Sequence, residues 1–153
     1  MRPTKPGVLV GIVVVLALLT WVVVRQVYSD LPVIPWTAIP TVLLLAVGEG
    51  YSAWMTRARI ARKPGTKPVE PLAVARLAAL AKASAYVGAV FAGIFAGFSL
   101  HTMSMLTRET PRAEFFVATG SFLAFVVLIG AALFLEHSCR IPKDPDAERQ
   151  SPR

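Results

Sequence analysis

The sequence predicts an all-α integral membrane protein with four transmembrane helices, an antiparallel up-down bundle with both termini on the cytoplasmic side. Three observations carry this expectation: four apolar runs of span length, prolines and charges gathered in the breaks between them, and an uneven distribution of lysine and arginine. Composition points the same way, since 55% of the 153 residues are hydrophobic and only 16% charged. Mean hydropathy is +0.59, far from the balance of an ordinary soluble domain.

Val8 to Val24 carries no charge over 17 residues, about 26 Å of helix rise and just enough for a hydrocarbon core. The preceding "MRPTKPG" resembles the first half of a signal peptide, but no small-residue cleavage site follows, so the run is read as retained. The second span, residues 36–55, has Trp36 and Trp54 near its ends, roughly 27 Å apart in rise, as expected of rings at two membrane interfaces. The third covers residues 76–100, with Arg76 and Lys82 in its first half, and the fourth covers residues 115–135 without a charge. An unpaired amide facing lipid costs several kcal/mol, so runs of this length have to be helices.

Proline punctuation fits these limits: Pro32, Pro35 and Pro40 open the second span, while Pro64, Pro68 and Pro71 mark a central basic loop, residues 57–71. Residues 1–142 then form one membrane domain. The tail 143–153, "KDPDAERQSPR", is polar and of mixed charge and is expected to be disordered.

Thirteen lysines and arginines fall in the N-terminal segment, the central loop, the start of the third helix and the tail, against three (Arg25, Arg108, Arg112) elsewhere. That asymmetry places both termini in the cytoplasm. Asparagine is absent and arginine outnumbers lysine eleven to five, a bias typical of GC-rich bacterial coding, so the membrane is read as a bacterial plasma membrane. The net charge of +7 sits between apolar runs and not among exposed aromatics, which excludes a nucleic-acid surface. Arg57, Arg59, Arg62, Lys63 and Lys67 are expected to fix topology and to attract anionic lipid headgroups, at about 1 kcal/mol each.

At 100° per residue the third helix divides into two faces. Ala75, Ala78, Ala79, Ala85, Tyr86, Ala89, Gly93, Ala96 and Gly97 share a face with Lys82, while Leu77, Leu80, Val87, Phe91, Phe95 and Phe98 lie opposite. Small residues let backbones approach closely, and bulky ones can be left in lipid. Ala85, Ala89, Gly93, Ala96 and Gly97 are therefore the expected packing face, and the phenylalanines the lipid face. That face serves packing within the monomer or, alternatively, a homodimer.

The stretch "AVGEGYSAW" sets Glu49 between two glycines inside an apolar helix. A carboxylate there needs a partner. Lys82, on the packing face of the next helix, is the expected one, with Glu136 as an alternative partner for Lys82. Ser52 and Thr56 extend the polar strip at i+3 and i+7. Glu49 can act as structural glue, as a proton or cation site, or as a contact with another protein.

No cofactor, metal site or catalytic residue is expected. The two histidines fall at opposite membrane interfaces, no HExxH or GxSxG occurs, and the lone Cys139 excludes a disulfide framework. Gly65 and Lys67 do not fit a phosphate-loop spacing.

Three stretches, "MRPTKPG", "ARLAALAKASAYVGAVFAGIFAG" and "LEHSCRIP", together resemble an uncharacterised actinobacterial family of small four-span membrane proteins, a domain of unknown function (number three-one-eight-zero). The resemblance runs from about Met1 to Pro142. It implies an inner-membrane protein often encoded near folate-biosynthesis genes, and it supplies no catalytic residue. Two functional expectations follow: a non-enzymatic scaffold or partner-binding subunit, or a small proton-coupled transporter or channel, possibly dimeric, that uses Glu49.

Overall fold

The computed structural model describes residues 4–28, 36–60, 71–107 and 109–139. Four helices account for nearly all of them: α1 (Pro6–Val27), α2 (Ala38–Ile60), α3 (Pro71–Thr102) and α4 (Glu109–Ser138). Each begins with a proline in its first turn, Pro6, Pro40, Pro71 and Pro111, where the missing amide is one the helix leaves unbonded anyway. Each also contains a segment long and apolar enough to cross a membrane: Pro6–Val27, Ala38–Ala58, Leu72–Met105 and Pro111–Ser138. Residues 61–70 of the central loop and 140–153 of the tail lie outside the described residues, and Arg62, Lys63 and Lys67 with them.

The helices alternate in direction but do not neighbour one another in chain order. α1 packs on α3, α3 on α4 and α4 on α2, so the consecutive pair α2 and α3 forms no extended interface. The expected pairing of Glu49 with Lys82 relies on these two helices packing together. Contacts fix the directions. Gly93 lies against Val13 and Leu16, and Gly97 against Ala17 and Thr20, so α3 runs parallel to α1. Ala46 groups with Phe125 and Leu128, and Ala53 with Leu135 and Cys139, so α2 runs parallel to α4. Ala81 groups with Leu135, while Ser99 bonds Thr119, so α3 and α4 are antiparallel.

Small side chains make these interfaces. A Cβ on Gly93 would stand 2.7 Å from Leu16 Cβ and 2.9 Å from the Val13 carbonyl oxygen, and one on Gly97 would strike the Ala17 carbonyl. Only glycine lets the two backbones come that close. Gly88 meets Ile129 of α4, and Gly120 meets Ile39 of α2. Ala81, Ala85, Ala89, Ala92, Ala118 and Ala132 are fully buried, whereas Val14, Leu18, Leu44, Val47, Leu80, Val87 and Phe116 are exposed. Small residues inside and large apolar residues outside reverse the arrangement of a water-soluble core.

Two sequence expectations for α3 need correction. Phe98 is buried against Val24 and Ala118, and Phe91 and Phe95 stack on Phe125 with ring centroids 5.3 and 5.8 Å apart. The bulky side is therefore partly occupied by α4, because a helix between two neighbours must bury two sides. Ala75 and Ala79 are exposed. α1 starts level with Ala85, as the Leu9, Ala85 and Ala89 cluster shows, so the first turns of α3 have no α1 beside them.

Candidate functional site

Along α2 the buried residues are Ala46, Glu49, Ala53 and Thr56, a stripe spaced by three and four as a helix face requires. Its alanines pack against α4. Glu49 occupies the position between them and is only 3% exposed. It is also one residue past the midpoint of the Ala38–Ala58 segment. A charge at the centre of a membrane helix costs about 3 kcal/mol even on the most lenient insertion scales.

Both Glu49 carboxylate oxygens are buried without a hydrogen-bond partner among the described residues. The expected ion pair or charge-assisted hydrogen bond with Lys82 is therefore not formed. The side chain of α3 that approaches Glu49 is Ser84, whose hydroxyl lies close to the carboxylate but outside hydrogen-bonding geometry. Ser84 is roughly 200° around α3 from Lys82. Because α2 sits on α4, it reaches α3 from the side opposite the α1-facing stripe, and Lys82 belongs to that stripe.

Between α2 and α3 the missing interface leaves a cleft of about 240 Å³ lined by Tyr51, Ser52, Met55, Thr56 and Leu77. Its α2 lining begins two residues past Glu49, toward the end of that helix. The Ser52 hydroxyl donates to the Gly48 carbonyl oxygen at 2.8 Å, so toward its surroundings Ser52 offers lone pairs only. Ser52 and an ionised Glu49 would thus present acceptors alone.

The other predicted positions disperse. Lys82 is half-buried, and Arg57 is exposed. Glu136, the alternative partner for Lys82, receives the Thr4 backbone amide on Oε1 at 2.9 Å, which places a carboxylate at the N-terminus of α1, where the helix dipole favours it. Ala85, Ala89, Gly93 and Gly97 are buried and Ala96 is half-buried. The Cys139 thiol is buried, and that burial pushes its pKa up.

A second polar cluster at the opposite end was not anticipated. Tyr28 donates to Glu114 Oε2 at 2.6 Å, and its ring lies 5.0 Å from that of His101. Tyr28, His101 and Glu114 are each among the first polar residues beyond an apolar run at the same end, which is the signal that could have grouped them. Burial and the Glu114 carboxylate push the Tyr28 phenol up to about 12.

An alanine and glycine interior, an outer surface of large aliphatics and four helices of span length give the chain the character of a multi-pass membrane protein. Residues 9–143 match the protein family described as "Protein of unknown function (DUF3180)", and the chain belongs to that family. No curated protein and no solved structure matches it.

Proposed function

We propose that the protein is a non-enzymatic, multi-pass component of a bacterial plasma membrane, with both termini cytoplasmic, that holds a partner helix against the outer face of α1. Gly7 and Gly11 carry this reading. They stand four residues apart on α1, both exposed, with nothing within 4 Å of where a Cβ would be. Gly48 and Gly130 are open in the same way but each stands without a second open glycine one turn away, whereas Gly88, Gly93, Gly97 and Gly120 each meet a neighbouring helix. A glycine inside a helix gives up about 1 kcal/mol relative to alanine, and no contact among the described residues offsets that at Gly11. A helix from a second protein, or from a second copy of this chain, would. The lysine and arginine count supports the orientation, and the exposed Arg57 is suited to anionic headgroups.

Native mass spectrometry of protein extracted in mild detergent tests the reading. Wild type is expected to carry a bound protein or a second copy, and Gly11→Leu to lose it while keeping its helical circular dichroism. Wild-type protein that is a bare monomer rejects the proposal. Reporter fusions after Tyr28, Pro64 and Thr110 test the orientation, and a periplasmic signal from Pro64 overturns it.

A further inference from the structure

We propose that Glu49 is a reversible proton-binding site, neutral when the bundle is closed, that exchanges its proton with water through the cleft between α2 and α3. The site is independent of the α1 contact; it requires only that α2 lie in a membrane.

The argument begins with what can reach the carboxyl group. Neither oxygen has a hydrogen-bond donor among the described residues, and each is sealed from the surface. A basic side chain from a partner, a lipid ammonium or a hydrated metal ion is too large to enter without parting the helices. A proton is not. Protonation also removes the charge that a buried, unpaired carboxylate cannot support. A carboxylic acid retains one O–H to donate, and the nearby Ser84 hydroxyl is an acceptor within a small reorientation.

The route follows from the helix arrangement. Because α2 makes its extended interface with α4 and meets α3 only locally, a cleft lined by both helices is left near the end of α2's apolar stretch, just before Arg57. At about 240 Å³ it exceeds many times over the space one water needs. Among its lining hydroxyls, that of Ser52 lies one helical turn from Glu49 and has its own proton committed to the Gly48 carbonyl. Ser52 can therefore accept a hydrogen bond from a water, which places that water one turn from the carboxyl group. Uptake is a simple balance: hydronium delivers one proton to the carboxylate and leaves water, and the site gains one positive charge and becomes neutral.

The experiment is infrared difference spectroscopy of the full chain in lipid nanodiscs, wild type minus Glu49→Gln, from pH 5 to pH 10, with Ser52→Ala as a second variant. The expected result is a protonated-acid C=O band at pH 7, absent from Glu49→Gln, that gives way reversibly to carboxylate bands as pH rises. Ser52→Ala should keep the band but slow its appearance after a pH jump at least several-fold. Carboxylate bands alone at pH 7 would overturn the proposal. So would an acid band unchanged up to pH 10, which would mark a permanently neutral structural group. Glutamine mimics the protonated acid, so a Glu49→Gln chain that fails to fold also counts against it. Full retention of exchange rate in Ser52→Ala would reject the cleft as the route.

Discussion

Tyr28 and Glu114 join the end of α1 to the start of α4 through a 2.6 Å hydrogen bond, although those two helices share no extended interface. The ring of His101, at the end of α3, lies tilted beside Tyr28 with centroids 5.0 Å apart. Three helix ends are thus held by one phenol. The phenol is pushed up to about 12, first by burial and then by the Glu114 carboxylate. A raised value means that folding favours the neutral form. The contribution is therefore complete below the ordinary tyrosine value of about 10 and is lost as pH rises from there toward about 12. Phenolate absorbance during an alkaline titration in detergent should show a step centred near pH 12 that Tyr28→Phe removes. The same variant should lose about 1–2 kcal/mol of stability at pH 7, the scale of a hydrogen bond to a charged acceptor.

The closeness of α1 and α3 gives a second prediction. A Cβ on Gly97 would strike the Ala17 carbonyl and stand 2.7 Å from Thr20 Cβ, while one on Gly130 would meet nothing within 4 Å. Backbone cannot yield as a flexible side chain can. Gly97→Ala is therefore expected to destabilise by about 1–3 kcal/mol, the range of overpacking in a filled interface. Gly130→Ala should be neutral or slightly stabilising, because it adds helix propensity without a clash. Unfolding of both variants in mixed micelles measures the contrast. Equal stabilities would show that the two helices can separate freely.

Glu136 supports a third. Its Oε1 accepts the Thr4 amide, fixing the chain just ahead of α1. Removing the carboxyl group in Glu136→Ala should speed hydrogen exchange at the Thr4 amide about tenfold, equivalent to roughly 1.4 kcal/mol of lost protection. Glu136→Gln retains an acceptor oxygen and should show a smaller change. Exchange that is identical in all three proteins would mean that the bond is not populated in the membrane-mimetic environment.

The existence of the four helices was legible because it depends on local properties: charge-free runs, prolines at their openings and the length of a span. The close approach at Gly93 and Gly97 could be read too, since side-chain size at helical spacing depends only on sequence. Which neighbour each face meets could not. The assumption that consecutive helices pack together assigned Lys82 to Glu49, but α2 crosses to α4, and that choice depends on the combined fit of Ala46 against Phe125 and Leu128, Ala53 against Leu135, and Gly120 against Ile39. The Tyr28, His101 and Glu114 cluster was missed for a related reason: its members are separated widely in sequence and meet only after three helices are aligned.

Cys139 reports on that α2 and α4 contact. It is buried in one cluster with Ala53, Ala81 and Leu135, and burial raises its pKa above the usual thiol value. The thiolate is the reactive form, so at pH 7 the native protein offers very little of it, and a maleimide must wait for α2 to move away. Labelling of the wild-type protein should therefore be slow, and should quicken as pH rises because more thiolate forms. Ala53 is fully buried, and Ala53→Leu adds three carbons where there is no room. The enlarged side chain must push α2 from α4 or distort the end of α4, and either movement opens a path to the sulfur. A labelling rate at least five times that of wild type is expected for Ala53→Leu, with no change for Phe116→Ala on the exposed side of α4. Rates that match across all three proteins would mean that α2 does not shield the thiol, and the packing of α2 on α4 would then be wrong.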